Sequence, residues 1–135
     1  MLPEHVDVLV EVPRFGWVKR TAAGGVDFVS PVPCPFNYGC VPDLPSGDGD
    51  PLDAVLLGPH QPRGAVSPSR VWGVVRFVDN DDVDDKLICG PSAPTDWDWW
   101  VVRTFFRVYG PAKGLLNRAR GKRGATGMLR LETTP

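Results

Sequence analysis

The chain has 135 residues, of which 42% are hydrophobic and 23% charged, with a formal net charge of −1. These values fit one domain, 1–135, large enough to bury a core without staples, and they exclude a disordered chain or a partner selected by bulk charge. Three cysteines without CxxC spacing suggest neither a disulfide framework nor a zinc site. No apolar run is long enough for a membrane span and no basic-then-apolar leader opens the chain, so a reduced, cytoplasmic protein is expected.

Glycine and proline number 15 each, which argues for many short strands and turns. Val6, Val8, Val10 and Val12 alternate with Asp7, Leu9 and Glu11, the period of a half-buried strand that Pro13 closes. Trp17–Arg20 and Val26–Val29 are the next strand candidates, separated by Gly24 and Gly25. Six prolines between 31 and 51 forbid a helix there and suggest a long braced loop, which Ala54–Leu57 leaves as a strand. Val71–Val78 reads as a strand ending in the acidic run 79–85, and Leu87-Ile88-Cys89 resumes it. Thr95 with Asp98 three residues on predicts a capping box, and Trp97, Trp100, Val101, Thr104, Phe105 and Val108 at helical spacing predict a helix over 96–109. Leu115–Ala119 adds a helical turn and Met128–Leu131 a final strand. The pattern predicts a mainly β (α+β) domain, a small β-barrel with one or two helices against it.

Two acidic stretches could carry chemistry. In Ser46-Gly47-Asp48-Gly49-Asp50-Pro51-Leu52-Asp53, three carboxylates fall at i, i+2 and i+5 of a loop bent by glycine and stiffened by proline. Converging carboxylates repel unless a cation lies between them, and an all-oxygen donor set suits Mg²⁺. A solvated Asp/Gly turn is the plain alternative. The second stretch, Asp79-Asn80-Asp81-Asp82-Val83-Asp84-Asp85-Lys86, places five aspartates in seven residues, a charged turn or a second half of the same cation site. Neither follows the EF-hand pattern, and no phosphate-binding glycine fingerprint occurs. His5 and His60 lack metal-ligand spacing.

Val10-Glu11-Val12-Pro13, Lys19, Pro35-Phe36-Asn37-Tyr38-Gly39, Asp48-Gly49-Asp50-Pro51-Leu52-Asp53, Gly73-Val74 and Asp79…Asp84-Asp85-Lys86-Leu87 occur in the order and spacing of soluble family I inorganic pyrophosphatases. Phe105-Phe106-Arg107-Val108-Tyr109 resembles that family's late helix with its phosphate-binding tyrosine. The resemblance covers roughly 6 to 110. It implies a five-stranded OB-like barrel, Mg²⁺ as cofactor, a small-molecule phosphate substrate and a homo-oligomer. It implies Asp48, Asp50, Asp53, Asp79 and Asp84 around the metals, with Asp50 the base toward the attacking water and Tyr38 beside it. Lys19, Lys86 and Tyr109 would contact phosphate oxygens, and Glu11 would complete the acidic rim.

Several positions depart from that family. Thr21 stands where it has a glutamate, Val26 where it has an arginine, Cys34 where it has a tyrosine, Asn80 where it has an acid and Gly110 where it has a lysine. The basic segment Lys113–Arg130 replaces the final helix. Losing one preorganised charge-stabilising donor typically costs ~10²–10³ in rate. Arg14, Arg20, Lys113, Arg118 and Arg120 are candidates to fill the gaps. Three readings follow: hydrolysis of inorganic diphosphate, the same metal site on another phosphorylated or anionic small molecule, and a non-catalytic OB-type binding module. The last draws on Trp97, Trp99, Trp100 and the basic segment for single-stranded nucleic acid. Against it, such a module needs no gathered aspartates.

Overall fold

The computed structural model describes residues 2–16, 18–20, 26–29, 33–46 and 49–134, with the backbone alone at 18–20 and 26–29. Five strands close on one another: β1 (His5–Val12), β4 (Asn37–Pro45), β5 (Pro51–Leu56), β8 (Lys86–Gly90) and β6 (Val66–Asp79), which returns to β1. All pairings in the ring are antiparallel except β5 with β8. The long β6 makes closure possible. Its first residues pair with β1, and further along the same edge takes β9 (Gly127–Thr133). β7 (Asp82–Val83) turns back on the end of β6. A separate ribbon joins β2 (Val18–Arg20) to β3 (Val26–Val29).

Two apolar layers explain why β5, β6 and β8 read as unbroken apolar runs rather than alternations. Ala54, Leu56, Val71, Val74, Leu87 and Cys89 join Val8 and Val10 in one cluster. Val55, Val75, Phe77 and Ile88, which point the other way, meet Phe36 and the helix α1 (Asp96–Ala119) in a second. Strands covered on both faces carry no polar side. Phe36 meets Phe105 edge-on with ring centroids 5.0 Å apart, and Phe77 lies 6.0 Å from Phe106. Such pairs contribute ~0.5–1.5 kcal/mol each beyond their buried area.

The capping box forms as read: Asp98 N donates to Thr95 Oγ1 at 3.1 Å and Thr95 N donates to Asp98 Oδ2 at 2.8 Å. Two expectations are corrected. The braced loop contains the nine-residue strand β4, because Pro42 falls in a register shift between Val41 and Pro45 where no ladder donor is required. The helix does not stop at 109. It runs through Pro111 to Ala119, absorbing the turn expected at 115–119. A proline inside a helix costs ~3 kcal/mol; docking offsets that, since Gly110 is buried where a Cβ would come 3.0 Å from Gly127 Cα of β9. On this helix Trp97, Trp100 and Val108 face outward, and Val102, Phe105, Phe106, Gly110 and Asn117 are buried. This helix is apolar on two sides, so spacing alone could not choose between them.

Candidate active site

The site forms around the first residues of β4, β5 and β8, beside Tyr109 of α1. Asp53 and Lys86 are register partners on the parallel pair β5–β8, so their side chains leave the sheet together. Lys86 is almost fully buried, and its Nζ lies 2.8 Å from Asp53 Oδ2 and 2.9 Å from Asp84 Oδ2. The Tyr38 hydroxyl donates to Asp53 Oδ2 at 2.9 Å. The rings of Phe77 and Tyr38 stand 5.1 and 5.6 Å from the ammonium. The sheet thus holds one cation between two carboxylates, roofed by aromatic faces that favour positive charge.

The electrostatics follow. Burial pushes the Asp84 carboxyl up; Lys86 pulls it down and Asp53 pushes it up again, with the result at about 6. Burial disfavours the Lys86 ammonium, but Asp53 and Asp84 outweigh it, so the group is held charged above its ordinary range. Burial, and then Asp53, keep Tyr38 a neutral phenol. Burial does the same at Tyr109, against the pull of Lys86. Both phenols therefore serve as hydrogen-bond donors at neutral pH.

The five aspartates of the 79–85 run divide their tasks. Asp79 and Asp84 face the site. Asp85 accepts from Arg76 Nη1 at 2.8 Å and from the Phe77 amide at 3.2 Å, and Arg76 also reaches Glu132 of β9. Asp81 accepts the Ala125 amide at 2.7 Å, and Asp82 is exposed. Asn80 and Asp81 take left-handed backbone angles in the hairpin turn, with φ of 50° and 69°. Two of the five, Asp81 and Asp85, are thus structural.

Other expected site residues fall nearby or outside the description. Asp50 is exposed on the turn before β5, three residues from Asp53. Glu11 lies in β1 at the register shift beside Val12, the partner of Tyr38, and its Oε1 is buried. Asp48 and the side chain of Lys19 lie outside the described residues, as do Thr21 and the side chain of Val26. His5 and His60 are exposed. Cys34 is a buried thiol in the apolar core, so it offers nothing to an anion. Gly110 is buried against β9.

In the last turns of α1, Lys113 and Arg118 were candidates to fill the phosphate-binding gaps, and Asn117 was not read as part of the site. Asn117 is buried and donates to Asp79 Oδ1 at 2.7 Å and to Thr126 Oγ1 at 3.0 Å. Lys113 Nζ stands 4.0 Å from Asp79 Oδ2. The visible signal was a shared helical face: Tyr109, Lys113 and Asn117 recur every four residues. Replacing Asn117 by leucine removes the donor to the Asp79 carboxylate at a buried position, while Thr126 Oγ1 keeps the Asn80 amide, at an expected cost of ~1–3 kcal/mol. Urea denaturation checks this; a midpoint equal to wild type would remove Asn117 from the support of Asp79.

Carboxylates fit a hard divalent cation, and the crowding that raises Asp84 is what such a cation relieves. Among the described residues no group of three or more His, Cys, Asp or Glu closes around one point. Among the described residues no helix is long and apolar enough to cross a membrane.

Residues 8–104 match the family model for inorganic pyrophosphatase. The inorganic pyrophosphatase of Neisseria meningitidis serogroup A is 40% identical over 96 residues, covering 64% of this chain and 54% of the relative. That of Haemophilus influenzae is 38% identical over 100 residues, covering 67% and 56%. The chain thus spans about half the length of these relatives. The crystal structure of inorganic pyrophosphatase from Thermus thermophilus superposes with a TM-score of 0.76 at 25% identity, covering 97% of this chain and 83% of that one. The closed five-stranded barrel with a single helix is their OB-like fold, as the sequence resemblance implied. With a family model spanning most of its length and a barrel that superposes on a solved member, this chain belongs to the inorganic pyrophosphatase family.

Proposed function

We propose that the protein hydrolyses inorganic diphosphate to two phosphates with Mg²⁺ as its cofactor. The observation that carries this reading is the buried Asp53–Lys86–Asp84 constellation, with Tyr38 donating to Asp53. Asp48, Asp50, Asp53, Asp79 and Asp84 would hold the cations. When bound, these supply positive charge to phosphate oxygens and acidify water. Asp50, exposed on the turn before β5, would accept the proton of the attacking water, and Tyr38 keeps Asp53 oriented. Lys86 and Tyr109 present a cation and a neutral donor to non-bridging oxygens, joined by Lys19 from the ribbon. The protein acts in the cytoplasm as a homo-oligomer, for which exposed Trp97 and Trp100 supply apolar surface.

Phosphate release from diphosphate in Mg²⁺ tests the reading, with Asp50→Asn as control. Release that falls to background in the variant is expected; wild-type release no faster than the variant's would overturn it. Since Asp84 must shed its proton to take a cation, Mg²⁺ affinity falls below pH about 6, by roughly tenfold per unit in the limit. Asp84→Asn flattens that profile while weakening binding; calorimetry at pH 5, 6 and 7.5 checks it, and a flat wild-type profile would contradict the role of Asp84.

A nucleic-acid module fits less well. The stacked Trp97–Trp100 pair sits at the start of α1 and Arg118 at its end, about 30 Å away at helical rise. Platform and basic segment therefore do not share one groove.

A further inference from the structure

Beyond Tyr109, α1 continues through Pro111 into the basic segment, and one of its cations turns inward. Lys113 follows Tyr109 by one turn on the same helix face. Its side chain is 11% exposed, unlike Arg118, which lies on the surface. At 4.0 Å from Asp79 Oδ2, its ammonium lies beyond hydrogen-bond distance of that carboxylate, while Asn117 holds the other oxygen at 2.7 Å. Asp79 is thus anchored from behind, and Lys113 stands beside its outer oxygen.

The neighbours sharpen the point. Lys86, Arg120 and Lys122 lie near enough to repel the Lys113 ammonium, and Asp79 attracts it. Lys86 is held by Asp53 and Asp84, whereas Arg120 and Lys122 lie exposed near Lys113; like charges gathered at a surface raise the local potential that draws in an anion. Meanwhile Gly110, which follows Tyr109 directly, is buried against Gly127 and has no side chain to contribute. Lys113 is the next residue along the helix that faces the site with a charge.

We propose that Lys113 is a substrate-binding residue whose ammonium contacts a phosphate oxygen beside Asp79, with Arg120 and Lys122 as an outer rim that draws the anion in. This deepens the reading of a diphosphate hydrolase and rests on it for the identity of the substrate. The binding step itself can be tested without turnover.

Lys113→Met and Lys113→Arg, with surface Arg63→Ala as control, are titrated in Mg²⁺ with inorganic phosphate and with the non-hydrolysable methylenediphosphonate. Affinity for both probes is expected to fall about tenfold or more in Lys113→Met, to recover largely in Lys113→Arg and to stay unchanged in the control. Where diphosphate is turned over, KM should rise in Lys113→Met by more than kcat falls. A structural lysine would move neither the probe affinities nor the KM-to-kcat split. Probe affinity within twofold of wild type in Lys113→Met, or no recovery in Lys113→Arg, overturns the assignment. If wild type binds the probes through Lys113 yet releases no phosphate from diphosphate, the anion site stands and the proposed activity fails. If wild type binds neither probe, both fail.

Discussion

Lys86→Met lowers the melting temperature by about 10–20 °C at pH 8, the largest drop expected from any single change in the site. The cation lies almost wholly out of solvent and within 3 Å of Asp53 and Asp84. Methionine fills most of the volume, so packing is not the main loss. The loss is two carboxylates left facing one another without their counter-charge, and breaking a buried pair in this way costs ~3–5 kcal/mol. Two further outcomes separate this cause from a packing defect. Asp84 has its carboxyl raised from 3.8 to about 6, and removing Lys86 raises it further. A carboxyl with a raised folded value adds stability below the unfolded value and loses it as pH climbs through the folded one, so the defect should shrink toward pH 4 and widen from pH 6 upward. Millimolar Mg²⁺ should also restore part of the lost stability, and more of it than it adds to wild type, because a divalent cation supplies the missing charge. Thermal melts across pH, with and without Mg²⁺, read both effects. A defect independent of pH and metal would mean that Lys86 matters as filler.

How much of this was legible beforehand varies by element, for physical reasons. The alternation of Val6 to Val12 gave β1 because that strand presents one face to the core, and the Thr95–Asp98 box gave the start of α1 because capping is a local event. The end of α1 was illegible because it is decided by Gly110 docking on Gly127, a contact between distant parts of the chain. The strand β4 was hidden by prolines that sit in its register shift. In the site, spacing alone indicated only that aspartates were crowded. It could not divide Asp79 and Asp84 from Asp85, whose partner Arg76 lies across the hairpin. Nor could it pair Asp53 with Lys86, which needs a parallel pairing of strands separated by β6 and β7. The family resemblance implied both residues in one site, Asp53 toward metal and Lys86 toward phosphate, without pairing them. It left Lys113 as one of several candidate cations and did not supply Asn117; both lie past the region matched by the family model.

Gly39→Ala is the second large effect, and its cause is closure of the barrel. A Cβ built on Gly39 would fall 1.8 Å from the Leu9 carbonyl oxygen and 2.8 Å from its carbon. Both are backbone atoms of the facing strand, so no side chain can swing aside; β1 and β4 must separate. The separation would fall on the pairs Leu9↔Cys40 and Val10↔Gly39, next to Tyr38, which positions Asp53. The expected cost exceeds about 4 kcal/mol, in the range reserved for a few severe mechanisms, and the variant should accumulate as insoluble protein at 37 °C. The same substitution at Gly114 gives the opposite sign. There the nearest atom to an added methyl is Thr126 Cβ at 3.8 Å, an ordinary contact, and alanine in a helix interior is favoured over glycine by up to about 1 kcal/mol. Guanidinium denaturation of the two variants side by side separates backbone crowding from any general effect of adding a methyl group. If Gly39→Ala unfolds within 1 kcal/mol of wild type, β1 and β4 do not approach as closely as the barrel requires, and the placement of Tyr38 over the site would need another support.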